Sequence, residues 1–136
     1  MKKTKILNSE LSAVIALMGH TDTIAIGDAG LPIPESSKRI DLAVRRNIPS
    51  FLEVLETVLY ELEVEEVTIA SEIIESNPAL YKKINELFSS VKINLVPHLE
   101  FKEMTKNCKA VVRTGECMPY ANIILHSGVA FSCSEE

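Results

Sequence analysis

The sequence is short of basic residues and of long apolar runs, and each shortage excludes a class of protein. Its 14 Lys and Arg residues are outnumbered by 19 Asp and Glu residues, which gives a net charge of -5. A nucleic-acid-binding protein needs a basic surface to meet phosphate. A membrane-spanning helix needs a run of about 18 apolar residues, and no run approaches that length. We therefore expect no nucleic-acid partner and no membrane span.

Cysteine is also scarce, with only Cys108, Cys117 and Cys133. An odd count without a CxxC pair argues against a disulfide framework and against a zinc knuckle. We expect reduced thiols, with a catalytic thiol at Cys117 as the alternative to a bystander. The basic N-terminus is followed by a stretch that polar residues interrupt, so we predict no signal peptide and a cytoplasmic protein.

The length and composition are those of one globular domain. The chain has 136 residues, of which 46% are hydrophobic and 24% are charged. A chain of this size buries about two thirds of its unfolded surface, so a core needs no covalent support. We predict a single folded domain.

Short apolar segments alternate with segments of helical periodicity. Strands are predicted at 23–27, 39–44, 67–70, 93–96, 110–113 and 123–125. Helices are predicted from residue 8 or 9 to before Gly19, from a Ser50/Glu53 capping box, from an N-cap at Asn77 followed by Pro78, and over 97–105. This alternation predicts an α/β fold: a single domain with a mostly parallel central sheet covered by helices on both faces.

Polar side chains follow the predicted strands where parallel sheets bind ligands, beyond the carboxyl ends. Asp28 follows the first strand, His98 follows the strand that ends at Val96, and Tyr120 and Asn122 lie in a polar turn. A phenol, an amide, imidazoles and a carboxylate suit a polyhydroxylated ligand, because each sugar hydroxyl both donates and accepts. The alternative is structural: Asp28 and Asn122 would stabilise turns, and Tyr120 would only pack.

His20 allows two interpretations. It follows the first predicted helix, where a histidine suits the helix dipole, and with Asp22 it forms a His-x-Asp pair. A metal site would need His20, Asp22 or Asp28, and His98 to converge.

His126 is interpreted as a half-buried imidazole satisfied by hydrogen bonds. The acidic run Glu61, Glu63, Glu65 and Glu66 is interpreted as a solvated surface.

Common catalytic signatures are absent from the sequence. It contains no GxGxxG fingerprint, no Walker lysine pattern and no GxSxG elbow. ATP use, dinucleotide use and serine hydrolysis therefore have no support.

Several segments, in order along nearly the whole chain, resemble the ribose pyranase and fucose mutarotase family. They are 7–9, 19–22, 28–34, 39–41, 49–51, His98 with Phe101-Lys102, 113–117 and 119–123. Each segment alone is a weak signal, but the ordered set is specific. The resemblance places the family domain at 1–131 and leaves 132–136 as a short C-terminal tail.

The resemblance implies an enzyme that interconverts the pyranose and furanose forms of free D-ribose, without metal or organic cofactor, and so feeds ribose catabolism. It implies His20 as the catalytic acid. The sugar-contacting positions that it implies are Asp28, His98, Lys102, Tyr120, Ala121 and Asn122. It also implies a homodecamer of two pentameric rings, with sites at contacts between neighbouring subunits.

The chemistry suggests how such residues would act. Ring opening needs a base and an acid, and histidine serves because both its protonation states are accessible near neutral pH. We expect His20 to shuttle the proton, Asp28 to orient His20 or a sugar hydroxyl, and His98 to be a possible second proton-transfer group. The alternatives are a mutarotase for another sugar such as L-fucose, a non-catalytic sugar-binding accessory of ribose uptake, and a metal hydrolase.

Overall fold

The computed structural model describes residues 1–132. The rest of the predicted tail, including Cys133, lies outside the described residues. The helices are α1 (Ser9–Leu17), α2 (Phe51–Leu59), α3 (Ile73–Ser76), α4 (Pro78–Leu87) and α5 (His98–Met104). The strands are β1 (Thr23–Gly27), β2 (Lys38–Asp41), β3 (Val64–Ala70), β4 (Lys92–Val96), β5 (Ala110–Arg113) and β6 (Ile123–Ser127).

Local signals explain where the principal helices begin. The Asn8 side chain accepts from the Leu11 backbone N–H and starts α1. At α2 the predicted capping box is present, with Ser50 and Glu53 each binding the other's backbone N–H. Asn77 is different from the prediction, because its side chain does not cap α4. Its Nδ2 donates instead to the Pro119 carbonyl at 3.1 Å, across the fold.

The six strands form one sheet in the order β2-β5-β1-β6-β3-β4. Pairing is parallel except at β6, which runs antiparallel to both β1 and β3. The carboxyl ends of the other five strands therefore meet at one edge of the sheet. The strand predicted at 39–44 ends at Asp41, because the Asp41 side chain accepts from Ala43 N–H and turns the chain.

Helices cover both faces of the sheet, which confirms the predicted fold class. In β1 the alternate residues Ile24 and Ile26 belong to the core beneath α1, α2 and α4. Ala25, between them, belongs to the core of the opposite face, which Phe101 of α5 fills. Ile24, Ala25 and Ile26 are all completely buried. None of the helices within residues 1–132 has the length and apolarity of a membrane span.

Gly27 ends β1 at a close approach between two parts of the fold. A Cβ at this position would lie 2.5 Å from Leu31 Cδ2 and 3.0 Å from Asn122 Oδ1. A larger residue would have to displace the side chain of Leu31 or the amide of Asn122.

We predict that Gly27→Ala lowers the free energy of unfolding by about 1–3 kcal/mol, the usual cost of overpacking. The matched control is Gly19→Ala, whose Cβ would lie 3.7 Å from Asp22 Oδ2, an ordinary contact. Denaturant titrations of both variants at equal protein concentration measure the difference. Equal stability of the two variants would contradict the prediction.

Candidate active site

The predicted sugar-contacting residues meet at the edge where the five strands end. Asp28 follows β1, His98 begins α5 directly after β4, and Tyr120 to Asn122 lead into β6. The His98 ring lies edge-on to the Tyr120 ring, with centroids 5.2 Å apart. The Asn122 Oδ1 accepts from the Asp28 backbone N–H at 2.9 Å. The sequence prediction that these residues assemble at the strand ends agrees with this arrangement.

The carboxylate of Asp28 has a structural role and a spare oxygen. Its Oδ1 accepts from the Gly30 backbone N–H at 2.9 Å, which forms the turn expected of an Asp in this setting. Its Oδ2 has no hydrogen bond among the described residues. One carboxylate thus shapes the loop and can still accept a hydrogen bond from a ligand.

Two buried polar atoms at this edge have no partner. They are His98 Nδ1 and Asn122 Nδ2, and no other buried side-chain polar atom within residues 1–132 is unsatisfied. Leaving such an atom unpaired costs about 1–3 kcal/mol, so it calls for a specific explanation. An amide N–H can donate to a ligand hydroxyl, and an imidazole nitrogen can bond to one, so both atoms suit a ligand that carries several hydroxyls.

Aromatic contacts hold the His98 ring without occupying its nitrogens. The ring stacks on Phe101 with centroids 6.1 Å apart and an interplanar angle of 14°. Tyr120 also contacts the ring, nearly perpendicular to it, and its own backbone lies in the left-handed region at φ 56°. That conformation is uncommon outside glycine, and the bond from Asn77 to the Pro119 carbonyl ties down the adjoining residue.

Lys102 lies on α5 one turn after His98, so both side chains leave the same side of the helix. Its side chain is partly buried and makes no ion pair among the described residues. Ala121 is completely buried between Tyr120 and Asn122. It can offer a ligand only its backbone.

Glu72 supports the site, and the sequence interpretation missed it. Both of its carboxylate oxygens lie 3.0 Å from the His98 backbone nitrogen, which donates to them at the start of α5. Burial alone would raise the pKa of Glu72, but hydrogen bonds from His98, its own N–H and the Ser71 hydroxyl lower it overall. A glutamate far along the sequence from His98 carries no local signal of this contact.

His20 lies at the opposite edge of the sheet. It precedes β1, whereas Asp28 follows β1, and the five strand residues between them span about 16 Å at 3.3 Å per residue. The proposal that Asp28 orients His20 is therefore wrong within one chain. The metal set of His20, Asp22 or Asp28, and His98 does not converge either, for the same reason.

The partner of His20 is Glu65. His20 Nε2 lies 3.0 and 3.1 Å from the two carboxylate oxygens of Glu65. The acidic run is therefore more than a solvated surface.

His126 behaves as predicted, since its Nε2 bonds Thr68 Oγ1 at 3.0 Å. Cys108 is buried, which raises its thiol pKa, and Cys117 is exposed.

We predict that Glu72 stabilises the fold at neutral pH and that this contribution is lost in acid. Because folding lowers the pKa of Glu72 below the ordinary 4.5, its carboxylate stabilises the fold above that value. The contribution is lost as the pH falls through the lowered pKa. Glu72→Gln should therefore be less stable than the wild type at neutral pH, and the gap should narrow in acid.

Urea unfolding across the acidic range measures this gap. Glu75→Gln is the control, because Glu75 lies in α3, three residues after Glu72, but makes none of these hydrogen bonds. A gap between wild type and Glu72→Gln that stays constant down to the acid limit would contradict the prediction.

Comparison with known proteins agrees with the sequence resemblance. Residues 1–130 match the model of the RbsD / FucU transport protein family. A D-ribose pyranase of Clostridium botulinum is 58% identical over 131 residues, covering 96% of this chain and 100% of the relative. The structure of Bacillus subtilis RbsD complexed with D-ribose is similar with a TM-score of 0.93 and 47% identity, covering 96% and 100% of the two chains. A fucose mutarotase from Streptococcus pneumoniae, in complex with L-fucose, shows a TM-score of 0.80 and 26% identity, with the same coverage. The chain belongs to the RbsD / FucU transport protein family.

Proposed function

We propose that the protein is a D-ribose pyranase, which interconverts the pyranose and furanose forms of free D-ribose. The observation that carries the proposal is the pair of unsatisfied atoms, His98 Nδ1 and Asn122 Nδ2, at a site built for hydroxyl groups. Ribose is favoured over fucose because identity is 58% to a ribose pyranase and 26% to a fucose mutarotase. The reduced cysteines expected from the sequence suit the cytoplasm, where free ribose enters catabolism.

The reaction needs acid–base chemistry alone. A base removes the proton of the anomeric hydroxyl, the bond from the anomeric carbon to the ring oxygen breaks, and an acid protonates that oxygen. The open aldehyde then closes through a different hydroxyl. Positioned acid–base groups supply about 10²–10⁴-fold acceleration, which suffices because ring opening already occurs in water.

Each site residue has a role in this proposal. His20 moves the proton between the anomeric hydroxyl and the ring oxygen. Asn122 Nδ2 donates to a sugar hydroxyl and Asp28 accepts from one. His98 bonds another hydroxyl and is placed for a second proton transfer. Tyr120 and Lys102 border the sugar, and Ala121 contributes its backbone.

These roles require two chains at every site. His20 and Asp28 lie at opposite ends of β1, so a sugar bound beside Asp28 can meet only the His20 of a neighbouring subunit. A contact that joins opposite edges of two identical chains can repeat head to tail from one chain to the next, and it forms a ring where the rotation closes. The decamer of two pentameric rings implied by the sequence resemblance is one assembly of this kind.

We predict that saturation-transfer NMR on D-ribose will show faster exchange between pyranose and furanose forms with the wild-type protein. His20→Ala should lower that acceleration by about 10²-fold or more, because it removes the proton-transfer group. L-Fucose serves as the comparison sugar. Acceleration of fucose alone would identify another mutarotase, and ribose binding without exchange would identify an accessory protein.

A complementation experiment tests the two-chain site. His20→Ala and Asp28→Asn should each be nearly inactive, since each damages every site. Random mixed assemblies should recover activity, because about a quarter of sites would pair an intact His20 edge with an intact Asp28 edge. Mixing His20→Ala with itself after the same dissociation and reassembly is the control. No recovery in verified mixed assemblies would rule out a shared site.

A further inference from the structure

The imidazole of His20 is bound through one nitrogen only. Nε2 faces both oxygens of Glu65, while Nδ1 has no hydrogen bond within the described part of the chain. The two ring nitrogens of a neutral histidine differ, and the bond that one makes decides which carries the proton. A carboxylate accepts only, so the neutral ring beside Glu65 carries its proton on Nε2.

A β-bulge brings Glu65 to this position. On β3, Val64 pairs with Ser127 and Glu66 pairs with His126, with a register shift between them. Glu65 is thus the extra residue, without a partner on β6. Bulges commonly redirect a side chain next to a functional site. The backbone of Gly128 lies close to Glu65, because a Cβ added to Gly128 would lie 3.2 Å from the Glu65 Cβ.

The turn that carries His20 is held by the same end of β6. Thr21 N–H donates to the Ser127 carbonyl at 2.9 Å, and Ser127 N–H donates to the Asp22 carbonyl at 2.8 Å. The Asp22 carboxylate accepts from the Gly19 N–H at 2.9 Å and closes the turn. The backbone around Ser127 at the end of β6 therefore holds both His20 and Glu65 in place, although their side chains are about half exposed.

We propose that Glu65 is the positioning residue for His20, holding the ring in the tautomer whose Nδ1 is free to exchange protons with the sugar. The proposal rests on the role of His20 in ring opening. Glu65 does not touch the sugar, so it acts on the rate of proton transfer and not on sugar binding.

Three variants test the assignment. Glu65→Ala removes the acceptor, Glu65→Gln keeps an oxygen acceptor without the charge, and Glu63→Ala removes a nearby carboxylate that makes no ion pair among residues 1–132. Glu65→Ala should lower kcat about tenfold, a part of the full acid–base contribution, and leave KM within about twofold. Glu65→Gln should recover part of the loss, and Glu63→Ala should match the wild type.

Nitrogen-15 NMR of labelled histidine gives a readout that needs no activity. The neutral His20 ring, assigned by its loss in His20→Ala, should be the Nε2–H tautomer in the wild type, where Glu65 can only accept. In Glu65→Ala it should become a mixture of both tautomers. An unchanged tautomer in Glu65→Ala, or a kcat equal to that of Glu63→Ala, would overturn the proposal. Failure of the wild type to accelerate ribose exchange would instead count against the proposed function.

Discussion

Strand β1 is the constraint on which the rest of the site depends. Its residues Ile24, Ala25 and Ile26 are completely buried and contribute to the cores on both faces. The strand cannot shift or bend without disturbing both cores, because protein interiors are close-packed. The turn that carries His20 enters it and the loop that carries Asp28 leaves it. A rigid strand thus holds the two parts of the candidate site at a fixed separation.

This separation links the proposed activity to assembly. A single chain presents an acid–base group at one edge of its sheet and a set of hydroxyl-binding groups at the other. The proposed ring opening draws on groups from both edges, so in this proposal the activity belongs to the contact between chains. The His20 side chain, about half exposed in the chain, is accessible to such a contact.

Contacts within the chain organise the hydroxyl-binding edge. Aromatic rings fix His98, a carboxylate holds the backbone at the start of its helix, and Asn77 secures the loop before Tyr120. Asn122 uses its oxygen on the Asp28 backbone and keeps its N–H unpaired. Prearranged groups lose little entropy on binding, which favours affinity for a small polar ligand.

Much of the fold was predictable from local patterns. The alternation of apolar segments predicted the strands and the α/β class, and the Ser50/Glu53 capping box marked the start of α2. The placement of Asp28 and His98 after strands predicted one edge of the site, because parallel strands end together. The boundary of β2 was less predictable, since the Asp41 side chain ends it through a turn.

The sequence by itself determined the secondary structure, the fold class and the residue types available for acid–base chemistry, because these follow from short-range periodicity and side-chain chemistry. Only the tertiary structure decided which residues meet. It placed His20 and Asp28 at opposite edges of the sheet and brought the Glu72 carboxylate to the His98 backbone. It also paired Glu65, which the sequence indicated to be a solvated charge, with His20. Those contacts depend on strand direction and on a bulge in the pairing of β3 with β6, and neither leaves a local mark in the sequence.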